Sequence, residues 1–264
     1  ALSEAERQQI IEQASALEAR QSRKDDESIL PKVTIADVPR QTRDPEAREK
    51  PEVPATCYAQ GTNGLVYEQV VVPLPGLDEE QRRLLPLYTH CLTELGCGDA
   101  AYLQMQDRQS AVSGGIGATS TAKGAIDDVQ AVSGYFVLTG KALNRNRDDL
   151  DVLLRDVFQR ARFDETERLR ELVAQMRVSR EQAVVGSGHV LAMGAASQGA
   201  SPVARLSFEL NGLAGIRALK QLDDALDEEA ELQSLGTRLA ALHQRIAAQP
   251  WHFLLIGEKD QLPP

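Results

Sequence analysis

The chain has 264 residues, of which 42% are hydrophobic and 26% charged, with a formal net charge of -10 and a pI near 5.0. That length allows one large domain or two small ones. The acidic balance argues against a nucleic-acid or anionic-membrane partner, since both need a basic surface. No apolar run approaches the roughly 18 residues of a membrane-spanning helix.

Residues 1–50 carry 9 Lys/Arg and 11 Asp/Glu, a composition too charged to bury much alone. Ser3-x-x-Glu6 is a capping box. Ile10, Ile11, Ala14 and Leu17 follow at helical spacing, which predicts a helix over residues 3–24 docked by one stripe. Residues 25–48, with Pro31, Pro39 and Pro45, read as an extended connector containing one strand-like run, Val33-Thr34-Ile35. The composition changes at Pro51. Residues 55–60 and 65–72 are strand-like and flank Gly61-Thr62-Asn63-Gly64, whose Asn-Gly predicts a β-hairpin. Val70-Val71-Val72, apolar on both faces, suits a central strand.

Asp78 caps a helix with the stripe Leu84, Leu85, Tyr88, Cys91, Leu92 and Leu95, kinked at Pro86 and closed by Gly96 at C′. A short helix over about 99–110 and strands over 114–121 and 129–138 come next. Leu150, Leu153, Leu154, Val157, Phe158 and Ala161 mark an amphipathic helix. Asp164-x-x-Glu167 caps another, with Leu169, Leu172, Val173 and Met176 facing inward. Leu232, Leu235, Leu239, Leu242 and Ile246 define a late helix, and residues 251–256 a terminal strand. The expectation is an α+β fold: a linker helix and connector over 1–50, then a domain over 51–264 with one mainly antiparallel sheet against several helices. The chain opens at Ala1 without Met, inside a helical pattern, and stops at Leu262-Pro263-Pro264 after a strand-like run. A piece of a longer protein is expected.

Few residues offer chemistry. The three cysteines, Cys57, Cys91 and Cys97, form no C-x-x-C and read as reduced, mostly buried thiols in a reducing compartment. An inverted zinc-peptidase helix needs H-x-x-E-H. In His90-Cys91-Leu92-Thr93-Glu94, Thr93 replaces the general base and Glu94 replaces the second His. His90 and Glu94 could share a face as two ligands, with Glu167 or Glu171 as a later carboxylate, but the base is missing. The pair therefore reads as a degenerate remnant, and no catalytic, cofactor-binding or metal residue is assigned; substrate-binding residues are unknown. Gly114-Gly115-Ile116-Gly117 lacks the third glycine and the helix context of a phosphate loop, and reads as a Gly-rich strand. Gly186-Ser187-Gly188-His189 is not a nucleophile elbow but a loop or helix interruption. His243 and His252 are isolated and are read as ordinary surface or core residues.

Several ordered runs resemble the presequence-protease branch of the M16 (pitrilysin/insulinase) metallopeptidases. They are residues 3–20, Leu30-Pro31-x-Val33-x-Ile35-x-Asp37-Val38-Pro39, Cys57-Tyr58-Ala59-Gln60-x-Thr62-Asn63-Gly64-Leu65-Val66-Tyr67, residues 84–98, and Ser187-Gly188-His189. The resemblance implies the M16-type two-layer α+β sandwich, here the third, non-catalytic domain behind the helix that links two halves. It implies a zinc-dependent parent that degrades unfolded oligopeptides inside a chamber, with zinc in the parent and none in this region. The implied partners are the catalytic N-terminal half of the same polypeptide and peptide substrates, in the cytoplasm of a bacterium or an organellar matrix of a eukaryote. The His90–Glu94 helix would then be the counterpart of the zinc helix in a duplicated domain. Two alternatives stay open: an inactive M16-like core subunit acting through protein–protein contacts, and an independent enzyme using His90 and Glu94.

Overall fold

The computed structural model describes residues 3–24, 26–41, 44–50 and 52–262. Ala1, Pro51 and the closing Pro263-Pro264, which figure in the sequence reading, lie outside the described residues. The chain divides into two compact units, Ala1–Asp44 and Pro45–Pro264.

The first unit holds helix α1, Glu4–Ser22. Its capping box forms as expected: Glu6 N donates to Ser3 Oγ and Ser3 N to Glu6 Oε2, satisfying donors that a helix start otherwise leaves free. The stripe expected to dock does not: no described residue of α1 is buried, and Ile10, Ile11 and Leu17 are more than half exposed. Val33-Thr34-Ile35 is not a strand. Thr34 instead caps a 3-10 turn, Ile35–Asp37, donating its N–H and hydroxyl to Asp37 Oδ2. The Thr-x-x-Asp local bond wins over β propensity here, since among the described residues no strand pairs with this run.

The second unit is one six-stranded sheet with helices on it. Its strands are β1 (Ala47–Lys50), β2 (Ala55–Ala59), β3 (Leu65–Pro73), β4 (Ile116–Gly124), β5 (Val132–Leu143) and β6 (His252–Gly257). They lie in the order β1-β2-β6-β3-β5-β4, all neighbours antiparallel except β2 and β6. This overturns the expected hairpin of β2 with β3. The tight turn is present: Asn63 and Gly64 have φ of 53° and 79°, and Leu65 N donates to Thr62 O. The strands it joins nevertheless stand apart, because β6 slots between them and takes the ladder bonds of both. Turn chemistry is local, whereas the pairing was decided by a strand almost 200 residues away.

Alternation sets the inner face of the sheet. Val66, Val70 and Val72 of β3 and Phe136, Leu138 and Ala142 of β5 are buried, so the central strands form the floor of the core. Helices α2 (Glu79–Leu92), α4 (Arg147–Gln159), α5 (Thr166–Gly186) and α9 (Glu229–Ala247) supply most of the rest. The predicted stripes of α4 and α9 are buried residue for residue, apart from Ala161 beyond the end of α4. In α9, Leu232, Leu235, Leu239, Leu242 and Ile246 all have zero exposure. The strand expected at 129–138 starts later and runs on to Leu143, and the short helix is α3, Tyr102–Val112. The cap of α5 is Glu165 rather than Asp164. Between Gly188 and Ala225 three helices, α6 (Gly188–Ser197), α7 (Pro202–Asn211) and α8 (Leu213–Ala225), fill a stretch that the sequence reading left blank.

Candidate functional site

The degenerate motif sits at the C-terminal end of α2. Asp78 caps this helix through Gln81 as expected. The helix ends at Leu92, with Thr93 as its C-cap, rather than at the expected Gly96. Gly96 serves a different purpose: its N–H donates to Glu165 Oε2 at 2.5 Å, and a Cβ there would lie 2.6 Å from Ala100 O. H-x-x-E-H needs its first and last residues one turn apart on a continuous helix, whereas position 94 lies two residues past the end of this one.

Charge completes the difference. Arg168 of α5 donates to Glu94 Oε2 at 3.0 Å and to Glu171 Oε2 at 3.0 Å, and its guanidinium lies 4.8 Å above the Tyr102 ring. Gln106 Nε2 donates to the same Glu94 oxygen, while Glu167 is exposed. His90 is half-buried, and its Nε2 has no hydrogen-bond partner among the described residues. Burial holds the imidazole below its ordinary pKa; Glu94 pulls upward, and Arg168 and Arg180 push further down. The zinc implied by the motif does not fit this arrangement. A fixed guanidinium faces the carboxylate that would be a ligand, and the three side chains do not converge on a point. Among the described residues, no group of three or more His, Cys, Asp or Glu is placed to hold a metal ion.

The remaining candidates separate cleanly. All three cysteines are free and buried; burial pushes the Cys91 thiol up to about 12 and raises Cys97, whose Sγ donates to Asp156 O. Neither has the depressed pKa of a reactive thiol. The Gly-rich run enters edge strand β4. Gly186, Ser187 and Gly188 form the break between α5 and α6, with His189 exposed. His243 is a core residue: Tyr88 Oη lies 3.0 Å from its Nδ1, inside a cage that includes Phe158 and Phe163. Burial lowers its pKa, against a smaller opposing effect of the Phe158 backbone hydrogen bond.

Sequence reasoning missed one polar cluster. Thr56 Oγ1 donates to Glu49 at 3.0 and 3.1 Å and stands 2.7 Å from His252 Nε2. The hydroxyl has one proton and gives it to the carboxylate, so His252 must donate through Nε2. That polarity is the reverse of a nucleophile facing its base, and the cluster fastens β1, β2 and β6 together. No local signal could have revealed it, because Thr56 and His252 meet only through the parallel β2–β6 pairing.

Comparison with known proteins identifies the family. Residues 1–222 match the family described as associated with peptidase M16, subfamily C, and the chain belongs to that family. It is 31% identical over 241 residues to the mitochondrial presequence protease of Xenopus laevis, covering 89% of this chain and 23% of that protein. It is 28% identical over 222 residues to the mitochondrial presequence protease of Yarrowia lipolytica, covering 84% of this chain and 22% of the relative. The chain thus spans less than a quarter of these relatives. The fold is also similar to a crystal structure of a conserved protein from Enterococcus faecalis V583, with a TM-score of 0.55 and 12% identity over 82% of this chain and 50% of the other. No helix among the described residues is long and apolar enough to cross a membrane.

Proposed function

We propose that this chain is the non-catalytic region, associated with subfamily C of the M16 peptidases, of a zinc-dependent metalloendopeptidase that degrades unfolded oligopeptides. In that reading it forms part of the C-terminal half enclosing the peptide chamber, and it works with the catalytic N-terminal half of the same polypeptide. Zinc and the general base belong to that other half. A eukaryotic parent would act in an organellar matrix, a reading supported by relatives named as mitochondrial or chloroplastic/mitochondrial, and a bacterial one in the cytoplasm.

The observation that carries the proposal is the Glu94–Arg168 ion pair at the end of a helix too short for H-x-x-E-H. The family's zinc-helix position is retained for packing, since Leu84, Leu85, Tyr88, Cys91, Leu92 and Leu95 are all buried, while its charge is neutralised from within. The test is turnover of a fluorogenic unstructured peptide by the purified 264-residue chain, with and without a chelator. Silence from the chain alone, and activity once the catalytic half is supplied, is the expected result. Chelator-sensitive turnover by this chain alone would overturn the reading.

A further inference from the structure

The β2–β6 side of the inner sheet face is not filled like the rest of the core. A cavity of about 350 Å³ lies there, between β2, β6, β3 and helix α4, a volume within the range of small-ligand sites. Its walls include Cys57, Val70, Phe158, Trp251 and Phe253. One acidic group is set into this apolar lining: Glu68, on the inward side of β3 and only 9% exposed. Its ladder neighbours, Gly140 and Leu255, are uncharged, and no hydrogen bond reaches its carboxyl from the described residues. Around it on α4 stand Asp151 and Asp148, which disfavour its ionisation, and Arg147, which favours it. Asp151 and Arg155, both exposed, and the half-buried Lys50 mark the mouth.

With no protein donor on it, the Glu68 carboxyl is free to bond a group that enters the cavity, and a ligand that excludes water there must offer it a donor. Of the charged groups that line the cavity, Glu68 is the buried one, whereas Asp151, Arg155 and Lys50 stand at the mouth. A ligand held inside therefore meets a carboxyl, and the partner that suits it is a donor and a cation rather than an anion. We infer that this cavity is a binding site for a small hydrophobic amine, its apolar body held against Trp251 and Phe158 and its ammonium bonded to Glu68. Burial, with Asp151 next in weight, raises the Glu68 carboxyl to about 7, so amine binding should strengthen as pH rises through that value. Below it the carboxyl is neutral and the ion pair is lost.

Trp251 is the chain's single tryptophan, so its fluorescence reports occupancy directly. The probes are 2-phenylethylamine, the neutral 2-phenylethanol and the anionic 3-phenylpropionate, each titrated into the full chain at about pH 5 and about pH 8. The amine should give a saturable change at the higher pH, with affinity about tenfold or more above that of the alcohol. That advantage should vanish at the lower pH and in Glu68→Gln. Ala55→Leu, which places a larger side chain in the cavity wall, should abolish binding of every probe and carries the test if Glu68→Gln does not fold. Equal affinity for amine and alcohol, unaltered amine binding in a folded Glu68→Gln, or no saturable signal from any probe would overturn the inference.

Discussion

Two glutamates of one domain show how context divides a structural charge from a candidate site. Glu94, at the end of α2, is the residue that the sequence marks out, and it is fully engaged: Arg168 and Gln106 both bond its Oε2. Glu68, which no motif marks, is more deeply buried and has no such partner. The first stands where H-x-x-E-H would need its second histidine, and it is half of an ion pair. The second lies in an ordinary strand and faces a cavity. Resemblance to a motif locates a place in the fold; whether chemistry is available there depends on which groups already hold the charge.

The sharpest way to test this contrast is the pH dependence of stability. The Glu68 carboxyl is raised from 4.5 to about 7 by burial and by Asp151. A raised carboxyl pKa stabilises the fold only while the group is protonated. Its contribution is whole below the unfolded value, near 4.5, and is lost as pH rises through about 7. Glu68→Gln should therefore be more stable than the parent at about pH 8, by at most about 3 kcal/mol, and nearly equal to it at about pH 4. Urea denaturation at both pH values measures the difference. His243 acts in the opposite sense in both proteins: its lowered pKa costs stability as pH falls below 6.5, so only the difference between the two curves isolates Glu68. Coincident curves would remove the contrast.

Second in size is Tyr88→Phe. Tyr88 is fully buried and its hydroxyl serves His243 Nδ1; deleting it leaves a buried ring nitrogen unsatisfied at nearly constant volume. A loss of about 1–3 kcal/mol in the same denaturation experiment is expected. Here a buried polar group has a protein partner, whereas the Glu68 carboxyl faces a cavity without one.

Much of the fold was legible, for physical reasons that differ by element. Helices α4 and α9 betray themselves because apolar residues at helical spacing must share one face, and the structure buries those same residues. Strand β3 was readable from Val70-Val71-Val72, yet its neighbours were not, since periodicity says nothing about which strand lies alongside. Helices α7 and α8 carry stripes that the reading passed over, Val203, Leu206 and Leu210 in one and Leu213, Ile216, Leu219 and Leu222 in the other, although none of these residues is fully buried; α6 has no such stripe. At the α2 site, His90 and Glu94 could be singled out locally, whereas Arg168 comes from 74 residues further on. Glu68 did leave a signal that went unused. It stands between Val66 and Val70 at the inward phase of a strand, where alternation calls for an apolar residue.

The smallest effect should belong to the motif itself. Arg168→Ala removes the cation from Glu94 and Glu171 and the guanidinium from the face of Tyr102. Arg168 is only 12% exposed, but Glu94 is 36% exposed, so water can replace the lost partner and screening already weakens the pair. The expected cost is about 1 kcal/mol, falling further in high salt. A double-mutant cycle with Glu94→Gln separates the pair from the packing of the arginine stem. If Arg168 acts only as the counter-charge, the coupling should account for most of the loss, and zinc should still fail to stabilise Arg168→Ala, because α2 ends before position 94. A rise in melting temperature with added zinc in that variant would show that the guanidinium alone, and not the short helix, keeps a metal from the remnant.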